Sequence, residues 1–137
     1  MKKVLLSTAA LFVIAACSSG GSEMSRLDSK IATVQELQHH NYELISINGK
    51  AFDGDKAGRP HIAFGQDMQV TGAMCNNFFG QATLSNRGVL RAKGVGMTRK
   101  LCDDTVLNDL DTDIAQLLEL GAEAVISDNG QYLRLSN

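Results

Sequence analysis

Residues 103–121 read DDTVLNDLDTDIAQLLELG, and they carry the one strongly helical pattern in the chain. Val106, Leu107, Leu110, Ile114, Leu117 and Leu118 recur at spacings of three and four, which gathers them into a single apolar stripe. Asp103, Asp104 or Thr105 suits the N-cap, where a carboxylate also meets the positive end of the helix dipole. Gly121 ends the helix, and Asn108, Asp109, Thr112, Gln116 and Glu119 form its polar face. A helix with one apolar stripe must be covered on that side, so the fold turns on what the rest of the chain offers.

The rest offers strands. Downstream, the apolar-rich runs at 125–127 and 132–135 flank Asp128-Asn129-Gly130, and Asn-Gly between such runs marks a hairpin. Upstream, Tyr42, Leu44 and Ser46 alternate with Glu43, Ile45 and Ile47 up to Asn48-Gly49. Ile62 and Phe64 mark a short strand, and Met68, Val70 and Gly72 share one face of the next. Residues 81–84 and 89–92 flank the turn cluster Ser85-Asn86-Arg87-Gly88. The expected class is α+β: a mostly antiparallel sheet, with one amphipathic helix inserted before the C-terminal hairpin.

The N-terminus reads differently. Lys2 and Lys3 precede an apolar stretch, residues 4–16, that ends in small residues just before Cys17. That is the order of a secretory signal, and the stretch is shorter than the roughly 20 residues a spanning helix needs. With Ile14-Ala15-Ala16-Cys17 it resembles a bacterial lipoprotein signal, which implies cleavage before Cys17 and acylation of that cysteine. Ser18-Ser19-Gly20-Gly21-Ser22 has the composition of a flexible tether. The expected organisation is a signal at 1–16, lipidated Cys17 and tether at 17–33, and one domain at 34–137. Ser18 and Ser19, directly after Cys17, are not acidic, which favours the outer membrane over retention at the inner one, with the domain facing the periplasm.

The formal net charge is −2, and loss of Lys2 and Lys3 with the signal takes it to −4. Of the basic residues in the mature part only Arg99 and Lys100 are adjacent, so nucleic acid is not an expected partner. With Cys17 assigned to lipid, Cys75 and Cys102 remain as an even pair in a disulfide-permissive compartment. A bridge is expected, two free buried thiols being the alternative.

Two polar, glycine-bearing stretches lie between the strands: residues 72–80, GAMCNNFFG, and residues 94–102, GVGMTRKLC. Here the chain resembles the META/HslJ family, whose pattern runs G-x-x-C-N-x-x-x-G and then M-T-x-x-x-C. Gly72, Cys75, Asn76 and Gly80 match the first half, and Met97, Thr98 and Cys102 the second. Residues 35–40 and 46–50 are similar to the family's opening, and a helix after Cys102 is where the family has one. The resemblance implies a strongly curved sheet close to a partly open barrel. It also implies an association with heat shock and antibiotic tolerance at the envelope, and it supplies no catalytic residue and no cofactor. The motif residues are expected to be structural, with glycines where chains approach closely and the Asn76 amide and Thr98 hydroxyl serving backbone groups. Contact with a ligand is the alternative.

Other chemistries lack support. His39 and His40 are sequence neighbours whose side chains diverge on a strand, and His61 stands apart, so no metal site is expected. Asp109, Asp111 and Asp113 lack the glycine and terminal acid of a calcium loop. No nucleophile motif or dinucleotide fingerprint is present. The expected function is thus non-enzymatic: a lipid-anchored envelope protein that binds an envelope partner under stress. A rival is a carrier of a small hydrophobic ligand or lipid, with Met68, Val70, Phe78, Phe79 and Leu84 lining a barrel cavity. Those same residues filling an ordinary core is the competing account.

Overall fold

The computed structural model describes residues 2–7, 29–54 and 58–137. Cys17, the rest of the expected signal and most of the tether lie outside the described residues. Helix α2 (Thr105–Leu120) is as the periodicity predicts, capped by Asp104, whose carboxylate accepts from the Val106 amide at 2.9 Å, and closed by Gly121 at φ 102°. Its buried side chains include Leu107, Leu110, Ile114, Leu117 and Leu118. Val106 departs from the expected stripe and is 45% exposed, because it lies on the side turned away from the sheet core.

The strands are β1 (Lys2–Ser7), β2 (Lys30–Ile31), β3 (His40–Ile47), β4 (Lys50–Ala51), β5 (His61–Phe64) and β6 (Gln69–Ala73). They continue with β7 (Asn77–Gln81), β8 (Thr83–Leu84), β9 (Val89–Arg91), β10 (Gly96–Met97), β11 (Ala122–Ser127) and β12 (Tyr132–Ser136). A one-turn helix α1 (Val34–Leu37) precedes β3, with Thr33 and Glu36 forming a capping box. Among the described residues all strands join one sheet, ordered β10-β7-β6-β5-β3-β1-β12-β11-β9-β8, with β2 on β11 and β4 on β3. The end strands β10 and β8 do not meet, so the sheet curls into an open half-barrel rather than closing. Its pairings are antiparallel except those of β1. The class is α+β, with α2 ahead of the β11–β12 hairpin.

Alternation builds the core. Tyr42 and Leu44 of β3, Ile62 and Phe64 of β5, Val70 of β6, Ala124 and Ile126 of β11, and Leu133 and Leu135 of β12 are buried with the α2 stripe in one cluster. The hairpin turn at 128–130 places Asp128, Asn129 and Gly130 at φ 55°, 55° and 85°. Asn, Asp and Gly tolerate that left-handed region better than other residues.

Residues 77–81, read as part of a stretch between the strands, form β7, and two segments nearer the N-terminus also differ from the sequence expectation. Lys30–Ile31, read as tether, pairs with Ile126 and Val125, and the Ala32 amide donates to the Ala124 carbonyl at 3.0 Å. A two-residue strand has too few positions to show a period. More consequential is β1, which lies inside the expected signal yet sits between β3 and β12, parallel to both. Val4 and Leu6 point into the core at 0% and 3% exposure. A short apolar run is compatible with a signal and with a buried strand alike, so composition did not separate them.

Candidate functional site

The glycine-and-asparagine motif folds into a compact polar knot at one end of the half-barrel. Gly72 is required where it stands: a Cβ there would lie 2.4 Å from the His61 carbonyl oxygen and 2.5 Å from the Phe78 ring. Gly80 carries no such demand, since a Cβ would find only ordinary contacts with Val95 and Val70. Gly96 is covered by the Phe79 ring, 2.5 Å from where its Cβ would be.

Between β6 and β7 the chain turns through Cys75 and Asn76, which are buried although no strand pairs them there. Their amides need acceptors, and α2 supplies one. Asp111 Oδ1 accepts from Cys75 N at 3.0 Å and Asn76 N at 2.9 Å, and its Oδ2 accepts from Asn76 Nδ2 at 2.8 Å. Asn76 Nδ2 also donates to the Lys100 carbonyl at 2.9 Å, while Asn76 Oδ1 accepts from Thr98 Oγ1 at 3.0 Å and Lys100 N at 2.8 Å. All four hydrogen-bonding positions of the Asn76 amide are thereby used. Thr98 Oγ1 in turn accepts from the Asn77 amide at 3.1 Å.

Cys75 and Cys102 form a disulfide, with Cα atoms 6.0 Å apart. Asn108, expected on the solvent face, instead clamps Cys102 by accepting from its amide and donating to its carbonyl, both at 3.0 Å. Among the described residues, no buried side-chain nitrogen or oxygen is without a partner.

Asp111 is the residue that sequence reasoning missed. It is 9% exposed, and with Leu107, Ile114 and Leu118 it continues the spacing of four and three along the buried face. An acid at a stripe position, in a chain with a buried turn elsewhere, was the available signal. Asp113, on the flank of the helix, has its carboxyl pushed above the ordinary range by partial burial and by the nearby Asp109 charge.

Of the proposed ligand-lining residues, four lie in or against one core and Phe79 stands apart. Met68, Val70 and Phe78 are buried in the core, Leu84 packs partly against it, and Phe79 is 56% exposed on the opposite face. Neighbours on a strand point to opposite sides, so Phe78 and Phe79 cannot line one cavity. Among the described residues, three clefts lie elsewhere. One of about 510 Å³ borders the knot and is lined by Asn76, Met97, Thr98, Arg99 and Leu101 among others. Another, of about 520 Å³, is walled by Ile47, Phe52 and Val106. A third, of similar volume, gathers Lys2, Lys30, Glu36, His40 and Gly130 near the start of β1.

At that third cleft Lys30 and Glu36 form an ion pair, while Lys2 donates to the Gly130 carbonyl. Burial disfavours the charged form of Glu36, but Lys30 at 2.7 Å and the hydrogen bonds from Thr33 outweigh it and hold the carboxyl below its usual range. The buried Tyr42 hydroxyl donates to the Glu36 carbonyl at 3.3 Å, and burial with the nearby Glu36 charge pushes the phenol up to about 12. His40 Nδ1 lies 2.7 Å from the Glu36 carbonyl oxygen and His61 Nδ1 3.2 Å from that of Arg59. Among the described residues no group of three His, Cys, Asp or Glu side chains could hold a metal ion.

Fold and site together define a small α+β domain in which a turn of a curled sheet is fastened to one helix by a buried carboxylate and to the segment just ahead of that helix by a disulfide. The chain belongs to the META domain family, whose model matches residues 35–137. It is 41% identical over 129 residues to Heat shock protein HslJ of Escherichia coli (strain K12), covering 94% of this chain and 86% of that one. A solved NMR structure 39% identical superposes with a TM-score of 0.63 over 76% of this chain and 92% of that chain. Another NMR structure, of a protein from Burkholderia xenovorans, is 17% identical with a TM-score of 0.43.

Proposed function

We propose that this stress-related META-domain protein is a lipid-anchored envelope protein that works by binding a partner, not by catalysis. In this reading the chain is cleaved before Cys17, acylated there and held at the outer membrane with its domain in the periplasm. More than one acyl chain is needed for durable anchoring, which acylation of both the thiol and the new amino terminus provides. The single observation that carries the binding reading is the knot. Its conspicuous polar groups, Asn76, Thr98 and Asp111, are committed to one another and to the backbone. The relationship to a heat shock protein supports a role in keeping the envelope sound under heat and antibiotic stress.

The test compares wild type with Cys17→Ser in cells lacking the chromosomal copy. The wild-type protein is expected in the outer-membrane fraction, with an intact mass that includes acyl chains, and it restores survival after heat shock. The variant is expected in the soluble fraction without rescue. A membrane-bound Cys17→Ser protein of unchanged mass removes the lipidation reading. A co-purifying lipid inside the isolated domain replaces partner binding with the carrier reading.

A further inference from the structure

Among the described residues, the seat of β1 has properties that none of the other strands shares. Lys2–Ser7 runs parallel to both neighbours, with Val4 opposite Leu133 on one side and Leu44 on the other, and Leu6 opposite Leu135 and Ile47. The interactions that place it are generic. The Lys3 amide donates to the Gln131 carbonyl at 2.8 Å, and the Leu6 carbonyl accepts from the Asn48 amide at 2.7 Å. Lys2 Nζ donates to the Gly130 carbonyl at 3.0 Å, and two apolar side chains fill the core. Any extended segment with apolar residues at alternate positions can reproduce nearly all of this.

The proposed cleavage removes this strand. What remains is a gap of two strand spacings, roughly 10 Å, between β3 and β12, too wide for them to bond each other. Each then presents an unpaired row of amides and carbonyls, with Leu44, Leu133 and Leu135 uncovered between them.

Helix α2 opposes collapse of the gap because it is tied to both halves of the sheet. On the β3 side, Asp111 and the Cys75–Cys102 bridge fasten the β6–β7 turn to the helix and its N-terminal approach. On the β12 side, the Leu118 carbonyl accepts from the Ala92 amide at 2.8 Å and the Leu120 carbonyl accepts from Arg91 Nη2 at 2.9 Å, fixing the helix C-terminus to the end of β9. The helix acts as a strut across the slot.

We infer that the β3–β12 slot, vacated by Lys2–Ser7, receives an extended segment of another envelope polypeptide, parallel to both strands and apolar at two alternate positions. This rests on the processing described under the proposed function and names the site and partner class of that binding. Lys2–Ser7 is its own chain's placeholder and shows the chemistry of the occupant.

The experiment uses the processed protein recovered from the envelope in detergent, its N-terminus read by intact mass. The probe is a blocked, fluorescent peptide of residues 2–7, followed by anisotropy and by hydrogen exchange at the Asn48 amide. Saturable binding is expected, with exchange at Asn48 slowed about tenfold or more as its acceptor returns. A probe carrying Val4→Asp and Leu6→Asp is expected to bind at least about tenfold more weakly, and reduction of the disulfide is expected to weaken the unaltered probe. Absence of binding overturns the inference whether Asn48 is already protected, meaning that the sheet has closed, or exposed, meaning that the slot takes no strand. Concentration-dependent dimers that exclude the probe overturn the choice of partner in favour of a second copy. A mass that retains residues 1–16 defeats the processing reading itself, and the slot with it.

Discussion

The turn at Cys75–Asn76 and the seat of β1 face the same physical problem and solve it in opposite ways. Both bury backbone amides and carbonyls that need partners. At the turn the partners are particular side chains, Asp111, Asn76 and Thr98, backed by a covalent bond. At the seat the partners are main-chain groups of β3 and β12, with two aliphatic side chains below. The first solution tolerates no substitute, because a carboxylate serving three donors has no isostere among the apolar residues. The second tolerates many, because any strand presents the same ladder. One region is suited to fixing geometry, the other to exchange.

The largest effect should come from the knot's least expected member. Asp111→Ala strands three donors, two of them buried amides, and should cost about 3–5 kcal/mol by urea denaturation with unchanged slope. Opening the Cys75–Cys102 bridge, which spans a sequence separation of 27, should cost roughly 3–4 kcal/mol by the chain-entropy estimate. If reduction proves far more damaging than Asp111→Ala, the knot is covalent first and polar second, and the contrast with the strand seat weakens. Gly72→Ala clashes with both the His61 backbone and the Phe78 ring and should cost about 1–3 kcal/mol.

The seat should respond conditionally. Val4→Ala should cost about 1.5 kcal/mol in a chain that retains its N-terminus. Once the segment is released, the same substitution should cost nothing. The amide resonances of Cys75 and Asn76 should not move in either form; a shift there would show that the two regions are not independent.

The smallest effect concerns Tyr42, which packs edge-on to Phe64 beneath α1. Its phenol is held neutral, with its pKa raised from 10.0 to about 12 by burial and by the Glu36 charge. The stabilisation is therefore complete below pH 10 and lost as pH rises towards 12. Tyr42→Phe should cost about 0.5–1 kcal/mol near neutrality through the lost hydrogen bond, and it should flatten that part of the alkaline decline. Denaturation midpoints for both proteins across that range decide it.

Much of the fold was legible from local pattern. The α2 stripe, its Asp104 cap and Gly121 stop, the period-two strands and the Asn-Gly hairpin all appear where elementary helix and strand geometry places them. The Cys75–Cys102 pair followed from counting cysteines in the expected compartment. Two-residue strands such as β2 were not legible, since they show no period. Nor was the role of Asn108, whose helix position looked solvent-facing until Cys102 folded back over it.

The amino-acid sequence by itself determined the α+β class, the helix and its ends, the principal hairpins and the family. Each of these is written in spacings within a few residues, where sterics and amphipathicity act. Only the tertiary structure decided that Asp111 completes the motif across 35 residues of chain, that Phe78 and Phe79 part company, and that Lys2–Ser7 fills a slot between two distant strands. Those outcomes depend on which buried groups meet. That is settled by satisfying every buried donor and acceptor and filling the core at once, not by any local pattern.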